Sequence, residues 1–426
     1  MTDRNVKRPG YKQTKVGWIP EEWEVKRFKD LAIVNPRKPR ELSDGIKVGF
    51  VPMANVSESG RLTEYDEVEC KNVNSGYTYF EDGDILIAKI TPSFENGKGC
   101  IADNLPNGIG FGSTEFHVLR PQKVNTEFLH FQTRYYKFRI KGGLNMTGTA
   151  GQKRVPTDYI KNYKIPTPPL IEQKKIAEIL STWYRAIKQT QKLIDAKQRL
   201  KKGLMQQLLT GRMRFPGFGA QVEKAGELPE GWEEKRINQI GKVVSGGTPA
   251  SDDERYWGGN IAWVTPNEVT QIKRPYIGST KRTLTKLGLK NSSAHLLPPN
   301  SIIVCTRATI GDCVINTIPM ATNQGFKNIK PNSQHDEKYI YYSIIFNKKK
   351  LLRLGAGSTF LEVSRRDFEK MQLLGPIKLT EQIKISELLL EIDNHILLLD
   401  KRIEYYLQQK NGLMQKLFNG EIRPKV

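Results

Sequence analysis

The sequence contains one long internal repeat, and this repeat restricts the possible fold more than any other feature. Residues 17–27 (GWIPEEWEVKR) return as residues 226–236 (GELPEGWEEKR), an offset of 226 − 17 = 209, with seven of the eleven positions identical. The same offset relates further pairs towards the ends of the two copies: Glu172-Gln173 and Glu381-Gln382, 203–206 and 412–415, and Gly211 and Gly420. A repeat of this length indicates two copies of one domain-sized unit.

Between these matched ends the two copies differ. Residues 91–97 (TPSFENG) have no good counterpart near residues 307–312 (RATIGD). A shared scaffold with two different surfaces is typical of a protein that recognises two different targets, although neutral divergence after a duplication would leave the same trace.

The middle of each copy has the pattern of a mixed α and β domain. Strands are predicted after turns, at 85–90 in the first copy and 301–305 in the second. A helix is predicted after each strand, because apolar residues recur at helical spacing over 128–138 and 339–346. The aromatic residues in these helices are expected in the core.

Each copy ends in a stretch with the pattern of a coiled coil, because apolar residues recur in alternating steps of four and three. A helix of about 40 residues is roughly 60 Å long and needs a partner for its apolar stripe, and the other long helix is the nearest candidate. The alternative is that each helix packs only on its own domain. The predicted seam consists of Ile176, Leu180, Trp183, Ile187, Ile194, Leu204, Leu208, Ile385, Leu389, Ile392, Ile396, Leu399, Ile403, Tyr406, Leu413 and Leu417.

Composition limits the class of partner. Lys and Arg number 67 against 45 Asp and Glu, a formal net charge of +22, which favours a polyanionic partner without separating DNA from RNA or anionic lipid. The cysteines, Cys70, Cys100, Cys305 and Cys313, form no CxxC pair and are expected to be buried thiols, so no metal site is predicted. Residues 1–15 are polar and basic, so we expect no secretory signal and a cytoplasmic location.

Several local motifs resemble the specificity subunit of type I restriction-modification systems. They are Gly-x-Ile-Pro-x-x-Trp at 17–23 with its copy at 226–232, PTPPLIEQKKIA at 166–177, KGLMQQLLTG at 202–211 and RFPGF at 214–218. The second copy departs from the pattern at 375–382 (GPIKLTEQ), where the paired prolines are missing. The two helix starts can therefore differ in geometry.

The resemblance implies a DNA sequence-specificity subunit with two target-recognition domains. Each domain would read one half of a bipartite, gapped sequence in double-stranded DNA, and the helices would set the spacer and dock methyltransferase subunits. It further implies two methyltransferase (modification) subunits and, in the full complex, restriction subunits, with no membrane partner. S-adenosylmethionine, ATP and Mg²⁺ are expected on those partners and no cofactor on this chain, which would be non-catalytic. The methyltransferase and nuclease could also share one polypeptide.

The predicted fold class is α+β, with two pseudo-repeats. Each is a mixed α/β target-recognition domain followed by a long helix, and the two helices form an antiparallel coiled coil. The predicted boundaries are 1–168 for the first recognition domain, 169–211 for the first helix, 212–225 for a linker, 226–376 for the second recognition domain, 377–420 for the second helix and 421–426 for a C-terminal tail.

Polar loop residues are the candidate DNA contacts, since Arg and Lys read guanine, Asn and Gln read adenine, and Lys, Arg, Ser and Thr bind phosphate. The triplets 152–154 and 364–366 stand out because they lie near the same place in both copies. The first copy contributes Lys89, Thr91, Ser93, Asn96, Lys98, Thr149, Gln152, Lys153 and Arg154. The second contributes Arg307, Thr309, Asn323, Gln324, Ser358, Thr359, Arg365 and Arg366.

Two other functions stay open at this point. The chain could be a nonspecific nucleic-acid or protein scaffold whose coiled coil recruits partners. It could also be an enzyme that acts alone, but the sequence has no Walker-type phosphate loop and no dinucleotide-binding fingerprint, and no other motif supports this reading.

Overall fold

A computed structural model describes residues 8–40, 42–149, 151–222, 226–272, 274–355 and 361–425. Contacts divide the chain into two compact units, unit 1 comprising residues 1–188 and 404–426 and unit 2 comprising residues 189–403. The boundaries of these two units do not coincide with the boundary between the two sequence copies. Unit 1 includes the last part of the second long helix because that part packs into the core of the first domain.

Unit 1 contains short strands and helices that lead into a first long helix. The strands are β1 (Tyr11–Thr14), β2 (Gly17–Pro20), β3 (Glu24–Arg27), β4 (Ala32–Val34), β5 (Lys47–Val51), β6 (Asp66–Glu69), β7 (Thr78–Glu81), β8 (Ile85–Ala88), β9 (Gly99–Ile101), β10 (Ile109–Gly112), β11 (Phe116–Pro121) and β12 (Lys164–Thr167). The helices are α1 (Phe28–Leu31), α2 (Thr126–Arg134), α3 (Tyr136–Leu144), α4 (Thr157–Asn162) and α5 (Leu170–Leu208), which continues into unit 2.

Unit 2 contains a similar series of strands and helices, ending in the second long helix. Its strands are β13 (Trp232–Arg236), β14 (Gly241–Ser245), β15 (Trp257–Val264), β16 (Tyr276–Ile277), β17 (Arg282–Leu284), β18 (Ile302–Cys305), β19 (Cys313–Asn316), β20 (Met320–Thr322), β21 (Phe326–Pro331) and β22 (Gln372–Pro376). Its helices are α6 (Ile237–Ile240), α7 (Pro266–Gln271), α8 (Lys286–Lys290), α9 (Glu337–Phe346), α10 (Lys348–Gly355), α11 (Arg365–Lys370) and α12 (Leu379–Phe418), which continues into unit 1.

The two main sheets of each unit share most of their strand order, although unit 2 has an added strand in the first sheet and one strand fewer in the second. Unit 1 has a sheet of order β4-β11-β8-β9 and a second sheet of order β6-β5-β10-β7, and unit 2 has β14-β21-β18-β19-β16 and β17-β15-β20. In both second sheets the central pair, β5 with β10 and β15 with β20, is parallel. An antiparallel pair next to the long helix, β3 with β12 and β13 with β22, also recurs. The mixed α and β fold with two pseudo-repeats is therefore confirmed.

In each unit the two long helices pack against each other in antiparallel directions. In unit 1 the Lys410 ammonium lies 4.2 Å from the centre of the Tyr184 ring, and residues 176–180 share a core with residues 414–418. In unit 2 the Lys201 ammonium lies 2.6 Å from Asp393, and residues 205–209 share a core with 385 and 389. The predicted antiparallel coiled coil is confirmed. Every predicted seam residue is buried or half-buried.

Two lysines lie within the apolar seam, and each contacts a side chain of the other long helix. Lys201 and Lys410 are equivalent, since 410 − 201 = 209, and so are Asp393 and Tyr184, since 393 − 184 = 209. Lys201 binds a carboxylate and Lys410 lies on an aromatic face, so both of these ammonium groups have a favourable partner.

The helix predicted over 128–138 is wrong in one respect, because it is broken. α2 ends at Arg134, and Tyr135 has an extended backbone with ψ of 134° before α3 begins. At the break, Arg139 Nε–H donates to the Thr133 carbonyl oxygen over 2.7 Å. The apolar spacing continues across this point, so the pattern alone gave no sign of the break. In the second copy Phe346, predicted in the core, is exposed at the last residue of α9.

All four cysteines are buried and unpaired with one another, as predicted. Within the described ranges, no helix combines the length and the apolar character needed to cross a membrane. The same residues contain no group of three or more His, Cys, Asp or Glu side chains that could hold a metal ion.

Candidate nucleic-acid interface

A tryptophan, a glutamate and an arginine, here called the anchor triad, join each recognition domain to the helices. In unit 1 the Trp23 indole N–H donates to Glu172 over 3.3 Å, and Arg423 forms an ion pair with Glu172. In unit 2 Trp232 donates to Glu381 over 3.3 Å, and Arg214 forms an ion pair with Glu381 over 2.9 Å. Each residue is 209 positions from its counterpart, so both domains are fixed to a helix start in the same way.

Glutamine side chains next to the anchor triads fix a second helix. Gln173 Oε1 accepts the backbone N–H of Asn125, the residue that caps α2, over 2.9 Å. Gln382 Oε1 accepts the N–H of Asp336, which caps α9, over 3.0 Å. The repeat marked these glutamate and glutamine positions, but the sequence did not show what they bind.

In unit 1 the fold brings the two predicted DNA-contacting segments together. Thr91 N–H donates to the Lys153 carbonyl oxygen and Val155 N–H donates to the Lys89 carbonyl oxygen, both over 2.9 Å. The loop after β8 and the segment before α4 therefore form one edge, although the paired residues are 153 − 91 = 62 and 155 − 89 = 66 positions apart in sequence. The predicted residues from both segments share this edge.

Several of the predicted side chains in unit 1 have partners inside the protein. Arg154 forms an ion pair with Glu115 over 2.7 Å, and this hydrogen bond lowers the pKa of Glu115. Asn96 donates to Glu58, and Lys98 donates to the Met53 carbonyl oxygen over 3.3 Å. Thr91 Oγ1–H donates to Glu95, and Ser93 is half-buried in the same loop.

The remaining predicted side chains in unit 1 face solvent or line a cleft. Thr149, Gln152 and Lys153 are exposed at the tip of the second segment. Lys89 is half-buried and lines a cleft of about 530 Å³ together with Lys38, Asn74 and Tyr77. The cleft unites a basic side chain with amide and aromatic groups, which is a surface able to bind phosphate and base edges. Sequence reasoning missed Lys38, Asn74 and Tyr77, because nothing local connects them to Lys89.

Unit 2 contains the equivalent edge with different side chains. Val363 N–H donates to the Thr306 carbonyl oxygen over 2.9 Å, as Val155 does to Lys89 in unit 1. Arg307 pairs with Glu362 across this edge, and Lys327 lies 3.5 Å from the same carboxylate. Burial by itself would raise the pKa of Glu362, but the hydrogen bond from Arg307 and the charge of Lys327 lower it overall. Thr309 accepts a hydrogen bond from Thr270 over 3.0 Å.

The two triplets with matching positions lie on opposite sides of this edge. Residues 152–154 precede Val155, whereas residues 364–366 follow Val363, so the position equivalent to Arg154 is occupied by Glu362. Ser364 caps α11, and Arg365 pairs with Glu369 over 2.7 Å, whereas Arg366 is exposed. The two triplets thus lie near the same edge, as predicted, but on opposite sides of the equivalent valines. Ser358 and Thr359 lie outside the described residues.

Asn323 and Gln324 form a turn against a glycine pair that the sequence reading passed over. A Cβ atom on Gly246 would lie 1.8 Å from the Asn323 carbonyl oxygen, and one on Gly247 would lie 2.3 Å from a backbone nitrogen. Thr248, the next residue, donates to the exposed side chain of Gln324. The glycine pair brings Thr248 to the predicted contact, and its Gly-Gly-Thr-Pro sequence was the available signal.

Comparison with known proteins bears directly on this arrangement. The family model described as "Type I restriction modification DNA specificity domain" matches residues 20–198 and 229–407, two copies with the offset 229 − 20 = 209. These matches include both anchor-triad tryptophans and glutamates and both edges.

Relatives and a solved structure agree with that match. The putative type I restriction enzyme MjaX specificity subunit of Methanocaldococcus jannaschii is 28% identical over 438 residues, covering 99% of this chain and 98% of that protein. The type I restriction enzyme EcoAI specificity subunit of Escherichia coli is 39% identical over 221 residues, covering 50% of this chain and 36% of that protein. A chain from a structure of type I R-M system assembly and conformational transition has a TM-score of 0.60 at 18% identity, covering 95% of this chain and 99% of that chain, and so shares the fold. The chain belongs to the type I restriction-modification DNA specificity family and carries two copies of its specificity domain.

Proposed function

We propose that this chain is the DNA-specificity subunit of a type I restriction-modification complex, with each unit reading one half of a bipartite, gapped target. The observation that carries the proposal is the edge formed where two chain segments pair by hydrogen bonds. This edge recurs in both units, each of which has an anchor triad, but its side chains differ between the units. Arg154 in one unit and Glu362 in the other occupy one position with opposite charges. Two similar scaffolds whose edges carry different side chains fit the recognition of two unrelated half-sites.

The chain would be a non-catalytic, cytoplasmic subunit. Its relatives are named specificity subunits, and the modification and restriction activities would belong to two methyltransferase subunits and to restriction subunits. S-adenosylmethionine, ATP and Mg²⁺ would bind those partners. The nuclease would be either a separate subunit or part of the methyltransferase polypeptide.

The long helices would set the spacer between half-sites and dock the methyltransferase. In unit 2 the helix pair exposes Leu193 and Leu398, which line one groove with Lys197 and Arg402. An apolar patch with a basic rim on a helix pair supports a partner with an apolar, acidic surface.

Coexpression with the methyltransferase tests the proposal. Methylome sequencing should show adenine methylation at a gapped motif with two unrelated halves, and the purified complex should bind that motif more tightly than an unrelated duplex. A stable complex that adds no new gapped motif would refute the proposal. Equal affinity for all duplexes would support a nonspecific scaffold instead.

A further inference from the structure

An arginine outside the predicted site lies over the ring of a tryptophan in unit 2. The guanidinium carbon of Arg282 lies 3.7 Å from the centre of the Trp257 ring and 5.2 Å from that of Trp263. Arg282 is exposed. By contrast Arg255, Arg307 and Arg365 each pair with a carboxylate. A guanidinium stacked on an aromatic face keeps its N–H edge free and its plane fixed.

The tryptophans under Arg282 are themselves held in place. The Trp257 indole N–H donates to the Ala250 carbonyl oxygen, and the Trp263 indole N–H donates to the Gly247 carbonyl oxygen, both over 3.0 Å. Their ring centres are 5.0 Å apart in an edge-to-face arrangement. Arg282 and Trp263 also face each other across the β17–β15 pair. The two rings beside the guanidinium are thus held in place by hydrogen bonds to the backbone.

Two chains of hydrogen bonds connect this stack with the candidate DNA contacts of unit 2. Gly247, which holds Trp263, donates to the Thr322 carbonyl oxygen over 2.8 Å, and Thr248 donates to Gln324. On the other side, Lys281 N–H donates to Glu268 on α7 over 2.7 Å. α7 also carries Thr270, which donates to Thr309 over 3.0 Å. Hydrogen bonds therefore link the stack to the predicted contacts within unit 2.

The equivalent position in unit 1 carries the opposite charge. Asp66 faces Phe50 across the β6–β5 pair, as Arg282 faces Trp263 across β17–β15. Phe50 in turn meets the exposed Tyr77 edge to face, with ring centres 4.9 Å apart. Each second sheet thus carries an aromatic pair with one polar residue beside it, and that residue differs between the units.

We propose that Arg282 reads a guanine in the half-site bound by unit 2, donating two N–H groups to O6 and N7 in the major groove. A planar guanidinium that lies over an aromatic ring and has no carboxylate partner among the described residues can present the two N–H groups that bidentate guanine recognition needs. This inference rests on the proposed function, and it names a specificity-determining residue that neither the motifs nor the loop composition indicated.

The test uses the full chain coexpressed with its methyltransferase, comparing wild type, Arg282→Gln and Arg282→Lys by methylome sequencing. Arg255→Gln is the matched control, because Arg255 is an exposed arginine of the same unit that pairs with Asp253 and stacks on no ring described. Both Arg282 variants should relax one guanine position in one half of the motif, with about 10- to 100-fold less discrimination at that position. The other half and the control should be unchanged.

Three results would overturn the inference. One is an unchanged motif in a folded Arg282→Gln complex. Another is a uniform loss of methylation at all sites that Arg282→Lys restores, since this would indicate a phosphate contact. The third is weaker binding of the methyltransferase while the methylated motif stays the same. If Arg282→Gln does not fold, Arg282→Lys alone decides, because it keeps the charge but lacks the planar fork. A wild-type complex without any gapped motif would refute the proposed function itself.

Discussion

Arg214 and Glu381 form a two-pronged ion pair in which both side chains are only 2% exposed. Nε donates to Oε1 and Nη2 donates to Oε2, each over 2.9 Å, and Arg214 also donates to the Glu230 carbonyl oxygen over 2.8 Å. In the equivalent pair of unit 1, Arg423 with Glu172, the arginine is 40% exposed. The glutamate is thus buried in both triads, whereas the arginine is buried only in unit 2.

Arg214→Met should therefore destabilise unit 2 far more than Arg423→Met destabilises unit 1. The first change leaves the Glu381 carboxylate buried without its partner and should cost about 3–5 kcal/mol of unfolding free energy. The second also leaves a buried carboxylate, Glu172, but Arg423 is partly exposed, so water can reach the vacated side and the cost should be lower, about 1–2 kcal/mol. Urea unfolding followed by tryptophan fluorescence measures both. Equal losses for the two variants would contradict the role of burial.

His130 should make unit 1 sensitive to acid. Burial, with the charges of Arg134 and Arg139, lowers its pKa to about 3, so the folded protein keeps the ring neutral where the unfolded chain, with a pKa near 6.5, is protonated. Stability is therefore full above about pH 6.5 and is lost as the pH falls towards the folded pKa. The expected loss is about 2 kcal/mol at pH 5.

His130→Gln removes this proton and should flatten the decline in unfolding free energy between pH 7 and pH 5. His395→Gln is the control, because His395 is exposed on α12. The measurement is the urea midpoint at each pH, analysed against wild type. An identical decline for wild type and His130→Gln would rule out His130 as the source.

Lys89→Gln should weaken DNA binding without changing the motif. Lys89 lies in the cleft beside Lys38, where an ammonium would bind phosphate, so affinity should fall for all duplexes and the dependence on salt should decrease by about one unit. Fluorescence anisotropy of the methyltransferase complex at several salt concentrations measures this. Lys123→Gln, an exposed lysine beyond the far end of β11, is the charge-matched control. A loss of the same size in the control would reduce the effect to net charge.

The sequence was informative where the signal is local and periodic. The repeat follows from identical residues at a constant offset. The long helices follow from apolar spacing, and the strands at Ile85 and Ile302 follow from the turn residues before them. The reading edges were only partly accessible, because the state of a side chain depends on distant partners. Arg154 meets Glu115 39 positions away, and Arg282 lies over the ring of Trp257 on the neighbouring strand. Such pairs are fixed by topology, which no local pattern contains.

Leu398→Glu should impair assembly with the methyltransferase. Leu398 is 61% exposed in the groove that it lines with Leu193, and a carboxylate there would have to be desolvated on contact. Copurification with tagged methyltransferase should fall at least about tenfold, a loss of about 1.4 kcal/mol. Leu296→Glu, at an exposed leucine of unit 2 outside the long helices, should copurify normally. Full assembly of the Leu398 variant would exclude this groove as the docking surface.

Lengthening the helix pair should lengthen the spacer of the DNA target. The variant has four residues inserted after Lys188 in α5 and four after Ile403 in α12, so that both helices lengthen equally. Both sites lie where the chain passes from one unit to the other. Four residues add roughly 6 Å, which corresponds to about two base-pair steps of 3.4 Å. Methylome sequencing should therefore find the same two half-sites separated by about two more base pairs.

A matched insertion separates helix length from chain length. Four residues inserted after Gly219, an exposed glycine in the segment between α5 and β13, add the same mass but leave both helices unchanged. This variant should keep the wild-type spacer, because the linker does not carry the distance between the half-sites. If the helix insertions fold, bind the methyltransferase and still methylate the wild-type spacing, the helices do not determine the spacer. If the linker insertion shifts the spacing as well, total chain length governs it instead.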